Sequence, residues 1–221
     1  MLNKSTLILM LSIFAGCSFA LAQGAHPTSD SASRRWLILP GGAKGGDISD
    51  ETSEANLIKT YGRANVVDKD LDNGNGEMEK NTIIFPHDPR RRLFILWKDP
   101  TKKTRPASIS IVGKKSVWRT VHGISLGTSL KQLESMNKES FYLDGFAWDY
   151  SGTVISWDGA LGQELGEVES LGRVLLRLDA PQSQFQSPEY QSLLGEKAFS
   201  SALPAMQTLN PTIYAIVWYL R

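Results

Sequence analysis

The sequence predicts an α+β fold: two helix-plus-antiparallel-hairpin half-units forming a shared sheet, with a C-terminal helix and a buried strand to complete it. Three observations predict it. First, a pattern recurs: ISDETSEANLIKTYGRANVV (48–67) aligns with ISLGTSLKQLESMNKESFYL (124–143), carrying Ile48 onto Ile124, 76 positions on. Second, each copy is followed by short runs with strand-like alternation. Third, the run TIYAIVWYL (212–220) is apolar on both faces and rich in β-branched and aromatic residues, which suits a central strand covered on both sides.

The elements follow in order. Residues 1–22 read as a signal peptide: Lys4 supplies a positive start, and Leu7–Ala15 is an apolar run broken only by Ser12. That run is shorter than the ~20 residues a membrane-spanning helix needs. Ala20 and Ala22 match a small-x-small cleavage site, giving release after Ala22. Cys17, the sole cysteine, follows Phe14-Ala15-Gly16 and is the lipidation site if the chain is a lipoprotein. The apolar SFALA after it favours release, because a lipid tether is normally polar. Residues 23–33 (QGAHPTSDSAS) read as a disordered leader. A single α+β domain is expected over 34–221, with half-units at 34–115 and 116–180 and a C-terminal segment at 181–221.

Within the first unit, RRWLILP predicts a short strand ended by Pro40, and GGAKGG (41–46) a surface loop without the Gly-Lys-Ser/Thr ending of a phosphate cradle. Thr52-Ser53 and Thr128-Ser129 are suited to accept backbone N–H bonds at a helix start. The first helix should stop at Gly62 and the second near Asn137-Lys138. Strands are expected at 81–86, 92–99 and 107–115, and in the second unit on either side of a Ser151-Gly152 turn within 145–159, then at 173–178. Ser187, Pro188 and Gly195 frame one more short helix.

Tandem copies of a helix and antiparallel strands in an exported bacterial chain resemble the β-lactamase inhibitory proteins. They are also similar to small outer-membrane assembly lipoproteins of the BamE/OmlA type, in which a G-x-S/T turn precedes the helix. The likeness covers roughly 48–160 and rests on pattern; the inhibitors' disulfide cysteines are lacking, and no functional residue is carried over. The resemblance implies a non-catalytic binding protein.

Charge and motifs narrow the chemistry. The formal net charge is +1, and without Lys4 it falls to zero, so bulk charge gives no ground for a nucleic-acid binder. Charge is nevertheless segregated: residues 90–119 carry ten Lys/Arg against Asp99 alone, while 47–79 and 132–169 are acidic. Basic strands facing acidic loops within the fold explain this as readily as a basic surface for an anionic partner. GISLG (123–127) matches the G-x-S-x-G nucleophile elbow and would make Ser125 a hydrolase nucleophile. That fold needs its histidine downstream, whereas His26, His87 and His122 all precede Ser125. DKDLDNGNGEME places Asp68, Asp70, Asp72 and Glu79 at positions 1, 3, 5 and 12 of a calcium loop, with Asn73 where glycine is usual. An exposed acidic turn between strands is the simpler account.

The expectation is an exported, non-enzymatic binding protein, periplasmic or secreted, of the bacterial envelope, inhibitor-like or an assembly accessory. No cofactor motif is found. The partner would be another protein or an anionic envelope polymer rather than nucleic acid, and contact with membrane would come only through lipid on Cys17. The candidate surface combines Phe146, Trp148 and Tyr150, alternating along one strand, with Trp157 on its neighbour and Arg90, Arg91 and Arg92 in a basic turn. A Ser125 hydrolase and a calcium-stabilised structural protein are the alternatives.

Overall fold

The computed structural model describes residues 36–38, 48–72, 76–165 and 173–220. The signal peptide with Cys17, the leader and the GGAKGG loop lie outside the described residues.

Strands dominate. A six-stranded antiparallel sheet runs β2 (Val66–Asp72), β3 (Met78–Ile84), β4 (Leu93–Asp99), β5 (Thr104–Val112), β11 (Thr212–Tyr219), β9 (Val174–Asp179). A three-stranded sheet is ordered β10 (Ala198–Ser200), β7 (Phe141–Asp144), β8 (Val154–Trp157). The short β1 (Leu37–Ile38) and β6 (Arg119–Thr120) pair in parallel. Five helices pack beside them: α1 (Glu54–Tyr61), α2 (Leu130–Asn137), α3 (Ala160–Leu165), α4 (Pro188–Gln191) and α5 (Pro204–Leu209). The fold is α+β with mainly antiparallel pairing. No helix among the described residues is long and apolar enough to cross a membrane.

The two long helices begin in the same way. Ser53 and Ser129 accept the backbone N–H groups of Asn56 and Gln132, whose side chains return the contact to the capping residue's own N–H. Just upstream, Thr52 Oγ1 accepts the Ser49 N–H at 2.8 Å, and Thr128 Oγ1 accepts that of Ser125 at 3.1 Å. Each start is then fixed to the beginning of a strand. Ser53 bridges Thr104 on β5, and Ser129 bridges Thr212 on β11. The helices end where expected, but Gly62 (φ 84°, ψ 148°) is extended at positive φ rather than left-handed helical, and the left-handed stop of the second is Lys138 (φ 65°) rather than Asn137.

The core is one contiguous cluster on the helix-bearing face of the large sheet. Ile95, Ile109, Ile111, Ile216 and Leu176 are fully buried, each contributing roughly 2 kcal/mol of apolar burial. Leu57 of α1 and Leu130 and Leu133 of α2 close over them, as the helical spacing of those leucines requires.

Three expectations change. The second hairpin does not extend the six-stranded sheet by a regular ladder: β7 and β8 pair with each other and β10, and touch the large sheet through a single bridge, Thr153 to Arg177. The paired strand before Ser151-Gly152 lies at 141–144 rather than 145–150, because Ala147 takes φ 62° and breaks the extended run. And β11, although central, has among the described residues a packed layer over one face only, with Ala215 the one buried side chain on the other. Ile213, Ile216 and Trp218 are buried, while Val217 and Tyr219 are half-buried and Tyr214 is exposed. Helices α3 and α5 were not foreseen; Pro204 at the first turn and Asn210 (φ 44°) at the stop of α5 are the signals that could have found it.

Candidate functional site

Strand alternation puts every second residue of the large sheet on the face away from the core. The register then aligns Val67, Ile83, Phe94, Ser110, Val217 and Leu175 in one row across all six strands. A second row holds Leu96, Ser108 and Tyr219; a third holds Val112, Ala215 and Arg177. Apart from Arg177 these side chains are apolar, aromatic or small; none belongs to the contiguous core cluster, although Ile83, Ser108 and Ala215 are buried. Val67 is 40% exposed and Val112 39%, and Phe94, Leu96, Val217 and Leu175 are half-buried. On β5 the row residues are the short Ser108 and Ser110, set between Phe94 and Leu96 of β4 and Val217 and Tyr219 of β11. A broad apolar sheet face with this exposure has the make-up of an interaction surface.

Cations and aromatics rim one end. Arg173 lies over the Tyr219 ring at 4.7 Å. Arg177 donates to the Asp149 carbonyl at 3.1 Å and to Thr153 Oγ1 at 3.2 Å, and its guanidinium sits 5.8 Å from the Tyr150 ring. The Tyr214 hydroxyl donates to the Ser151 carbonyl at 3.2 Å. These bonds hold the loop 147–151 against the large sheet, and Gly152 makes the approach possible: a Cβ there would meet the Leu178 carbonyl oxygen at 1.7 Å. Burial pushes the Tyr214 phenol up; the Arg177 charge and hydrogen bond oppose the shift and Asp179 adds to it. Beside Tyr214 opens a cavity of about 480 Å³ lined by Gly113, Lys114, Leu126, Gly127, Thr212, Ile213 and Tyr214.

The aromatic residues singled out from sequence separate. Phe146 is fully buried and stacks on Tyr190 with centroids 5.1 Å apart. Trp157 is half-buried against Phe141 at 4.7 Å. Trp148 and Tyr150 do meet, edge-on at 5.3 Å, with the Trp148 indole N–H donating to the Gly145 carbonyl and Tyr150 57% exposed. They share a loop rather than a strand face, since residues 147–150 are not extended.

The arginine run is divided as well. Arg90 is exposed; Arg91 pairs with Asp88 at 2.5 Å and lies 4.2 Å from the Phe85 ring; Arg92 donates to the Pro86 carbonyl at 2.7 Å. Hydrogen bonds from the Arg91 side chain and the Arg90 backbone hold the half-buried Asp88 carboxyl below its usual range. With Trp36 and Val117, Arg90, Arg91 and Asp88 line a shallow cavity of about 280 Å³ at another edge of the fold.

Among the described residues the calcium arrangement does not form. Asp68, Asp70 and Asp72 alternate along β2 on one face, whereas Glu79 pairs opposite Leu71 and so projects to the other. Asp68 is taken by Lys103 and by Thr82, whose hydroxyl donates to it at 2.8 Å. No group of three or more His, Cys, Asp or Glu side chains able to hold a metal is present among the described residues. Ser125 sits in the turn before α2, its N–H donated to Thr128 Oγ1, and its φ is not positive. It occupies the place of Ser49 before α1, which is a helix-entry role.

What sequence reasoning missed is the open face itself. The signal was present in β11 and β4, whose alternate positions are apolar in both registers. Compared with known proteins, the chain matches no family model, no curated protein and no solved structure.

Proposed function

We propose that this chain is an exported, non-enzymatic binding protein of the bacterial envelope that holds a protein partner on the open face of its six-stranded sheet. The observation that carries the reading is the row Val67–Ile83–Phe94–Ser110–Val217–Leu175, an apolar band spanning six strands with no packed layer over it among the described residues. Rigid sheet backbone, half-exposed aromatic and aliphatic side chains and a cationic rim at Arg173 and Arg177 are what a protein interface requires. An anionic envelope polymer would suit the rim but leave the apolar band unused.

The same reading includes an internal duplication. We infer that α1 with β2–β5 and α2 with β7, β8, β9 and β11 are two copies of one unit, meeting where β5 pairs with β11. Matching capping boxes, matching Thr-to-Ser turns and the matching antiparallel bridges to Thr104 and Thr212 support it. On this view the C-terminal segment supplies the fourth strand of the second unit. The duplication makes one wide face out of two narrow ones.

The test is affinity capture from envelope fractions with wild type, Val217→Arg and Trp148→Ala, each checked for native circular dichroism. A partner held by wild type and lost with Val217→Arg is the expected result. Recovery of the same proteins by Val217→Arg overturns the reading.

A further inference from the structure

We propose that the cavity beside Tyr214 is an anchor subsite that takes one large apolar side chain from an acidic segment of the protein partner. The proposal rests on the open face being a protein-binding surface and names the partner's chemistry at one point on it.

The place is defined by the fold. The turn after β5 (Gly113, Lys114), the turn before α2 (Leu126, Gly127) and the first residues of β11 (Thr212–Tyr214) converge there, at the seam where β5 and β11 pair. Leu126 and Ile213 form an apolar wall, and Ile213 is itself part of the core. Around the mouth stand Val112, 39% exposed, and Tyr214, 41% exposed. Val112 and Ala215, each next in sequence to a lining residue, are directly opposed in the third row of the sheet face. A volume of about 480 Å³ falls within the range of sites that engulf a ring-sized group.

Charge selects the occupant. Lys114 lines the cavity and no carboxylate does. Lys115 follows it in sequence, and Arg177 is in register with Ala215 on the neighbouring strand. The carboxylate in register with Thr212 is Asp179, which is not part of the lining; it accepts from the Ala180 N–H at 2.7 Å and the Tyr190 hydroxyl at 3.4 Å, and its charge is felt at Tyr214. An apolar hole with Lys114 in its lining favours an aromatic or long aliphatic residue flanked by Asp or Glu, with the flanking charges steering approach and the buried ring setting the off-rate. A peptide is favoured over a free small acid because the hole is continuous with a sheet face far wider than a small molecule could cover.

The experiment uses three synthetic capped pentapeptides, Asp-Glu-Trp-Asp-Glu, Asp-Glu-Ala-Asp-Glu and Lys-Lys-Trp-Lys-Lys, with indole-3-acetate as a small-molecule arm. Amide chemical shifts of the intact protein are followed on titration. The acidic tryptophan peptide is expected to shift Leu126, Gly127 and Tyr214 saturably at millimolar or lower concentration. The alanine and lysine peptides should bind at least about tenfold more weakly, a difference of about 1.4 kcal/mol. Thr212→Trp, an exposed position whose new ring would fill the hole, should remove the effect, and Lys114→Glu should weaken it about tenfold.

Equal binding of the alanine peptide, shifts elsewhere, or no saturable shift at all overturns the anchor. Binding of indole-3-acetate as tight as the peptide's makes this a small-molecule site and overturns it too. If Val217→Arg abolishes capture of the partner while the peptides fail, the open face stands and the anchor alone falls.

Discussion

Lys103, at the entrance to β5, places its ammonium between Glu54 of α1 and Asp68 of β2, donating to both Glu54 oxygens at 3.2 Å and to Asp68 Oδ2. One side chain therefore ties a helix start to two strands, from a backbone held at φ 50°. Burial opposes the Asp68 charge, but hydrogen bonds from Lys103 and Thr82 and the charges of Lys103 and Arg63 outweigh it and hold the carboxyl below its usual 3.8. The Asp68 hydrogen bond chiefly, with Glu54, raises Lys103 above 10.5.

The pair's pH dependence follows from those directions. A depressed carboxylate stabilises fully above its unfolded pKa and loses that stability as pH falls through the folded one; the raised lysine does so as pH climbs past 10.5. The contribution of the Lys103–Asp68 pair should thus be constant through neutral pH and decay below about pH 3.8. Lys103→Met should lower stability by roughly 2 kcal/mol at pH 7 and by less at pH 3, measured by urea unfolding. An equal loss at both values would show that the pair is not the cause. Calcium should leave the melting temperature of wild type unchanged, because the first ligand of the supposed loop is committed to Lys103.

Ser53→Ala and Ser129→Ala should each cost about 1 kcal/mol, the usual loss on removing an N-cap hydroxyl. Matching losses in chemical denaturation would agree with two copies of one unit. A cost confined to one of them would place the mechanical load on that helix alone.

Gly152→Ala should be among the most damaging single changes. At φ 62° and with the Leu178 carbonyl where the Cβ would stand, the loop must lift from β9 and the Thr153–Arg177 bridge must break. A loss above about 3 kcal/mol is expected, together with faster exchange of the Leu178 amide, which donates to the Gly152 carbonyl.

Tyr190 is 5% exposed, and burial, then the nearby Asp179 charge, pushes its phenol up to about 12. The unfolded chain ionises near 10, so stability should decline as pH rises through the interval between them. Burial raises Asp179 in turn, which means its ionisation works against folding above its ordinary 3.8. Asp179→Asn should keep the Ala180 N–H acceptor, hold or raise the melting temperature at pH 7, and bring the Tyr190 titration closer to 10 in ultraviolet difference spectra. An unmoved titration would mean that the Asp179 charge is not felt.

Local chemistry was legible where a few adjacent residues decide the outcome. Thr-Ser before each helix, Gly62 after the first and the alternation of β5 could be read from the chain because capping and pleat act within a turn or two. What could not be read depends on layers. Phe146, Trp148 and Tyr150 alternate in sequence, yet Ala147 turns left-handed and divides them between core and surface. Arg90, Arg91 and Arg92 look alike as a run, but an Asp88 two to four positions away and the Phe85 ring claim them differently. For β11, two apolar faces suggested two covering layers, and the second layer is not there among the described residues.

The seam between β5 and β11 also governs how the chain reaches this structure. It joins residues as distant as Ile109 and Trp218, whereas β2 to β5 meet by hairpin turns alone. A meander of near neighbours closes fast, and a ladder that spans about half the chain closes slowly. Refolding should therefore pass through a stage in which the first four strands are paired and β5 presents a bare edge. During that interval the apolar face and the open edge lie side by side, and self-association there competes with completion of the fold.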